Sequence, residues 1–257
     1  MLLGHTVFGD LHAAIPYVLL HGFPVDSRMW RPLVPLLEGP VITLDAPGFG
    51  TSAHLVGPDG ASEVAGLAGY ADAVAATLHH LGVEQAVCVG LSMGGYVLAE
   101  LVRRHPERLA GLVFADTNAR ADTAAARATR LTQADQALRE GATVVAGAPA
   151  NLLGATTLAT RPTVVADFRR WVAQAPGGAI AWAQRAMAAR PAAFETLATV
   201  GVPSLVVRGQ EDTVASAAVS QELADVLGCD LVEIAAVGHF PPVEDPVALA
   251  RVLVTWR

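Results

Sequence analysis

Short apolar runs recur along the chain, separated by longer stretches in which apolar residues return every three or four positions. The runs are Tyr17–Leu20, Val41–Leu44, 86–89, 111–115, 204–208 and 230–234. Each is four or five residues long and several are rich in Val, which suits strands buried on both faces of a parallel sheet. Between them, residues 69–81 set Tyr70, Val74, Leu78 and Leu81 on one helical face and stop at Gly82. Residues 216–227 do the same with Val219, Leu223, Val226 and Leu227 before Gly228. A last helix starts with Asp245 as N-cap and Pro246 in its first position, and turns Leu249, Val252, Leu253 and Trp256 inward. Strands alternating with helices predict an α/β fold, a mostly parallel twisted sheet flanked by helices.

One region breaks the alternation. From about Thr117 to Phe194 there is no strand run, and the helical pattern is interrupted at Pro149, Pro162 and Pro176-Gly177-Gly178. This predicts a helical insert of residues 118–194, placed after the strand that ends near Asp116, within a core made of residues 1–117 and 195–257. Its charge differs as well. Residues 117–196 hold nine Arg and five acidic residues, while the rest of the chain holds eight Arg and nineteen acidic residues. Solvated Arg on helix faces explains this excess; steering of an anionic substrate is the sharper alternative.

The whole chain of 257 residues carries a formal charge of −7 and no basic tail, which argues against nucleic-acid binding. No run approaches the ~18–20 apolar residues that span a bilayer, so no membrane segment is expected. All 17 cations are Arg. The lack of Lys removes Schiff-base chemistry, covalent pyridoxal phosphate and the phosphate-loop lysine together. Cys88 and Cys229 stand in no metal-ligand or CxxC spacing, so neither a disulfide framework nor a metal site is expected. The start, Met-Leu-Leu-Gly-His, lacks a basic region and an apolar stretch of the secretory kind, so a cytoplasmic protein with reduced thiols is expected.

Candidate chemistry gathers just past the strand ends. In an open parallel sheet, ligands bind beyond the carboxyl ends of the strands. His21-Gly22 comes after the first run, Asp45 after the second, Ser92 after the third and Asp116 after the fourth; Asp212 lies just past the fifth and His239 past the sixth. Gly90-Leu91-Ser92-Met93-Gly94 matches G-x-S-x-G, with a Val-rich strand before it and the helical pattern Met93–Arg104 after it. Such a turn holds a serine in a strained conformation at the tip, with glycines on either side because bulkier residues would clash.

A serine hydroxyl needs a base to take its proton. His239, in Val237-Gly238-His239-Phe240, is the candidate. The other histidines have plainer roles at helix C-termini (His79, His80, His105), in the N-terminal segment (His5, His12) or in loops (His21, His54). The base needs an orienting carboxylate, and Asp212 in Gly209-Gln210-Glu211-Asp212 is favoured by the chain order Ser92, Asp212, His239. Asp116 is a rival that could reach the same imidazole or cap the way into the insert, and Glu211 is expected to point elsewhere. Asp45 is expected to brace a loop, and Glu244 either to support the site from behind or to serve as a helix-terminal charge. An oxyanion needs two N–H donors. Met93, just after the nucleophile, supplies one; in His21-Gly22-Phe23-Pro24 the proline has no N–H, which leaves Phe23 for the other.

These segments together resemble the α/β-hydrolase superfamily across nearly the whole chain: His21–Pro24, Asp45-Ala46-Pro47-Gly48-Phe49-Gly50, Gly90–Gly95, Gly209–Asp212 and Gly238-His239. Residues 20–30 and 90–96 look most like the group containing 3-oxoadipate enol-lactonases, small carboxylesterases and cofactor-free haloperoxidases. Met1 to Pro16 looks short for that family's opening strands. Ser92 stands where haloalkane dehalogenases and epoxide hydrolases have Asp. The resemblance implies that the insert is a cap over the site. Phe168, Trp171, Trp182 and Met187 are its candidate substrate-binding ceiling, with ordinary packing as the plainer role for each.

The expected activity is a serine hydrolase acting without a cofactor on a small-molecule ester or lactone through an acyl-enzyme on Ser92. No nucleic-acid or membrane partner is expected, and the chain is compatible with a homo-oligomer. The alternatives are an acyltransferase, thioesterase or cyclase using the same acyl-enzyme, and a ligand-binding protein with no activity on the same fold.

Overall fold

Most of the strands are short and buried, and they align in one sheet because only neighbouring strands can satisfy their backbone groups once both faces are covered by apolar side chains. The computed structural model describes residues 1–256. Its strands are β1 (His5–Phe8), β2 (Tyr17–Leu20), β3 (Val41–Leu44), β4 (Ala86–Leu91), β5 (Leu109–Ala115), β6 (Ser204–Gly209) and β7 (Leu231–Ile234). They form a sheet in the order β1-β3-β2-β4-β5-β6-β7. All neighbours from β3 to β7 run parallel; β1 runs antiparallel to β3, pairing His5 with Leu44 and Phe8 with Val41.

The sequence pattern does not reveal β1, and its burial shows why. This edge strand is exposed at Thr6, Val7 and Phe8, so it has no continuous apolar run to announce it. By contrast β2, β3 and β4 are buried at every position.

Helices cover both faces of the sheet. Helix α1 (Gly66–His80) buries Tyr70, Val74 and Leu78, and the chain leaves it through Gly82 at φ 72°. Helix α2 (Met93–Arg104) begins directly after Ser92. After β5 come α3 (Ala124–Glu140), α4 (Ala148–Leu152), α5 (Ala155–Thr160), α6 (Pro162–Ala173), α7 (Gly177–Ala188) and α8 (Phe194–Leu197), with no strand before β6. Pro149 and Pro162 lie in the first turns of α4 and α6, and Pro176 is the residue before α7. The prolines thus start helices, where the missing N–H costs nothing.

Helix α9 (Ala217–Leu227) ends at Gly228 in the left-handed conformation. A short helix α10 (Pro241–Glu244) leads into α11 (Pro246–Trp256), whose first turn is capped by Asp245 accepting from the Ala248 N–H at 2.9 Å. No helix among the described residues is long and apolar enough to cross a membrane.

Candidate active site

The parallel strands point their carboxyl ends at one edge, and the polar residues after them collect there. The sharpest turn comes after β4. Ser92 adopts φ 52° and ψ −110°, a conformation that costs a non-glycine residue roughly 1–3 kcal/mol. Two glycines make it possible. A Cβ on Gly90 would meet the Gly94 carbonyl oxygen at 2.5 Å, and one on Gly94 would run into the Leu20 carbonyl of the next strand. The turn is pinned by the Ser92 N–H donating to Ala115 O at 2.9 Å and by the Thr117 hydroxyl donating to Ser92 O at 2.8 Å. Ser92 is half-buried and borders a cavity of about 270 Å³ that His239 also lines. Three larger cavities, of about 340, 360 and 460 Å³, hold neither residue, so the chemistry and not the volume marks the site.

His239 is buried, at 2% exposure, and its Nδ1 lies 2.7 Å from Asp212 Oδ2. The carboxylate requires a proton on Nδ1, which leaves Nε2 as the basic nitrogen. Asp212 is fixed from its other side by the N–H groups of Val214 at 2.7 Å and Ala215 at 3.1 Å. Burial alone would push its carboxyl up, but the His239 hydrogen bond and charge and the Val214 N–H outweigh that, so it lies below the usual carboxylate value. The loop carrying Asp212 is held by Arg208, whose guanidinium donates to the carbonyls of Asp212, Gln210 and Ala215.

The rival carboxylates separate cleanly. Glu211 points away and accepts from the Thr156 N–H and hydroxyl at 2.8 and 2.6 Å. Asp45 braces its loop, accepting from the N–H groups of Ser27 and Thr51 and the Thr51 hydroxyl. Glu244 is buried and supports the histidine loop: it accepts from Gly238 and Phe240 N–H at 3.1 and 3.0 Å and from Gly154 N–H at 2.8 Å. Asp116 lies beside the histidine–aspartate pair. One ligand atom from each of Asp116, Asp212 and His239 falls within 4.8 Å of the others. These are also donor types for a cation, but Asp212 already accepts from one ring N–H and two backbone N–H groups, which leaves it poorly placed to bind one.

For the oxyanion, Phe23 lines the cavity, and its N–H donates to no acceptor among the described residues. Met93 is the first residue of α2, where helix geometry leaves an N–H without an internal partner. His21 shapes the Phe23 loop: its Nε2 accepts from the Ala46 N–H at 2.8 Å, so Nδ1 donates to Gly22 O at 3.0 Å.

Of the four expected ceiling residues, only Met187 lines the cavity with Ser92 and His239. The other three lie elsewhere, as their plainer packing role would have it. Phe168 is fully buried edge-on against Phe240, with ring centroids 4.7 Å apart. Trp182 donates from Nε1 to Val64 O at 2.9 Å and packs on Tyr70 of α1. Trp171 borders a separate polar cavity with Arg28 and Gln174. Bulk draws Phe168 and Trp182 into packing between helices and core. Sequence reasoning does not find Tyr96, Arg130, Gln133 and Gln184, which do face the cavity. Tyr96 carried a signal, one helical turn beyond Ser92. The others are polar residues on helices with no local mark.

Comparison with known proteins agrees with this architecture. A family model described as alpha/beta hydrolase fold matches residues 16–246. A solved structure of a thermophilic esterase from Thermogutta terrifontis, malate bound, is 33% identical with a TM-score of 0.92, covering 99% of this chain and 92% of that one. The 3-oxoadipate enol-lactonase 2 of Acinetobacter baylyi is 27% identical over 262 residues, 96% of this chain and 89% of that protein. The pimeloyl-[acyl-carrier protein] methyl ester esterase of Aeromonas hydrophila subsp. hydrophila is 38% identical, but over only 98 residues, 37% of this chain and about a third (35%) of the relative.

Proposed function

The chain belongs to the alpha/beta hydrolase fold family, and from that premise we propose that it is a serine hydrolase cleaving a small carboxylic ester or lactone through an acyl-enzyme on Ser92. The observation that carries this reading is the strained Ser92 turn bordering the same cavity as a buried imidazole that is hydrogen-bonded at 2.7 Å to a carboxylate. Similarity to an esterase and an enol-lactonase over nearly the full chain supports the same bond type.

In this reaction His239 Nε2 takes the Ser92 proton as Oγ attacks the carbonyl carbon. The oxyanion is held by the N–H groups of Phe23 and Met93; losing one such donor typically costs ~10²–10³ in turnover. His239 then gives its proton to the leaving alcohol oxygen, which departs, or stays tethered if the substrate is a lactone. Water loses a proton to the same nitrogen, attacks the acyl carbon and releases the acid and Ser92. Asp212 stays ionised throughout and keeps Nδ1 protonated. The neutral imidazole is the form that acts as base.

Residues 118–194 act as the cap over a core of residues 1–117 and 195–257, and Met187 contributes to the acyl pocket. A cavity of about 270 Å³ suits a small acyl group, at the low end of ligand pockets. Replacing Ser92 with Ala tests the reading: ester hydrolysis is expected to fall by roughly 10⁶-fold with the fold intact by circular dichroism. Wild-type turnover by the S92A protein would refute it.

A further inference from the structure

Asp116 is a buried acid that the reaction above does not use, and its placement is specific. It directly follows β5 at φ 47°, one of three non-glycine residues with positive φ among those described, the others being Ser92 and Ala236. The backbone is anchored by its N–H donating to Val207 O at 2.9 Å. The side chain is 1% exposed, and Oδ1 accepts from the Gly209 N–H at 2.8 Å, on the strand that leads to Asp212. Oδ2 is buried with no hydrogen-bond partner, although it belongs to a group within 4.8 Å of both Asp212 and His239.

A buried carboxylate oxygen with no donor is costly. Two carboxylates this close cannot both hold a full charge in a dry site. The division between them is set by the donors. Asp212 receives three, from His239, Val214 and Ala215, whereas Asp116 receives one, from Gly209. The other anion that faces Asp116, Glu244, is itself engaged with three N–H groups. Burial first, then the charge of Asp212, holds the Asp116 carboxyl well above the usual value, with Glu244 adding to it.

We infer that Asp116 is a positioning residue for the base and acid pair: it keeps its proton on Oδ2 and donates it to the Asp212 carboxylate, while Oδ1 remains fixed on Gly209. No bond is made or broken, and one proton serves the two carboxyls. The donation spreads the charge of Asp212, fixes its orientation from a direction that the loop N–H groups do not cover, and makes His239 less basic than a lone aspartate would.

The inference rests on the proposed roles of Ser92, His239 and Asp212, and the test separates the two. The rate of fluorophosphonate labelling against pH is measured for wild type, D116A and D116N, with S92A as the control, alongside the downfield proton NMR signal of the imidazole Nδ1–H. In D116A the rising limb is expected to move up by roughly one pH unit, the rate at neutral pH to fall about tenfold, and the downfield signal to move. In D116N the amide can accept from Gly209 and donate to Asp212, so the limb and the signal are expected to return to within a few tenths of wild type. If D116N instead moves the limb down by about a unit, Asp116 was ionised and the inference fails. It fails equally if D116A folds and leaves both limb and signal unmoved. Should D116A not fold, the D116N outcomes alone decide it. Labelling of S92A at the wild-type rate would overturn the parent reading instead.

Discussion

The edge of the sheet and the helical segment between β5 and β6 obey different constraints. At the sheet edge, each candidate residue is held by backbone: Ser92 by its turn, Asp212 by two N–H groups, His239 by its N–H donating to Leu152 O at 2.8 Å. In the helical segment, side-chain bulk decides. Two of its large aromatic residues, Phe168 and Trp182, fill gaps against Phe240 and Tyr70, and smaller or polar residues are left to face the cavity. Chemistry built into backbone geometry leaves local marks in a sequence; a surface chosen by packing between helices does not.

The two regions are nevertheless fastened together next to the base. Residues 152–156 supply the Leu152 carbonyl to His239, the Gly154 N–H to Glu244 and the Thr156 N–H and hydroxyl to Glu211. Arg161 adds a hydrogen bond to Glu244 O at 2.6 Å. The segment therefore forms part of the seat of the loop that carries His239.

Substitutions in each region sharpen this contrast. The largest effect belongs to the backbone-held edge: D212N keeps the shape of the side chain but favours the wrong imidazole tautomer, so kcat is expected to fall by about 10⁴ in steady-state ester hydrolysis, with the fold retained by circular dichroism. An intermediate effect belongs to the junction. In E244Q one N–H of the three faces an amide NH₂ instead of an oxygen, so kcat is expected to drop about tenfold with KM little changed. Equal losses in kcat for D212N and E244Q would erase the distinction between reacting and supporting carboxylates. The smallest catalytic effects belong to the helical segment, where W182A and M187A are compared. W182A is expected to cost about 3–5 kcal/mol of stability in denaturant unfolding while kcat/KM at low temperature stays within about twofold. M187A is expected to shift KM several-fold for the longer acyl esters. A reversal of these two outcomes would mean that Trp182, and not Met187, meets the substrate.

The same contrast explains how much the sequence made legible. Six of the seven strands are marked by apolar runs, and the Ser92 turn by Gly90 and Gly94, because those positions tolerate few residue types. Helix α2 runs from Met93 to Arg104 as its pattern predicts, and α11 starts at Pro246 behind Asp245. Strand β1 was hidden because an exposed edge needs no apolar alternation. The pairing of His239 with Asp212 could be ranked by chain order, but the position of Asp116 beside them depends on how β5 and β6 lie together. Arg130, Gln133 and Gln184 were invisible as cavity residues because only the docking of α3 on α7 turns them toward Ser92.

The central claim is that Ser92 Oγ is the nucleophile and His239 its base. The most direct measurement is peptide-mapped mass spectrometry of the protein after brief fluorophosphonate treatment across a pH series. The account predicts one phosphonyl adduct, on Ser92, forming faster as pH rises and lost in the H239A variant. An adduct on another residue, or on Ser92 at a rate that H239A leaves unchanged, would contradict it.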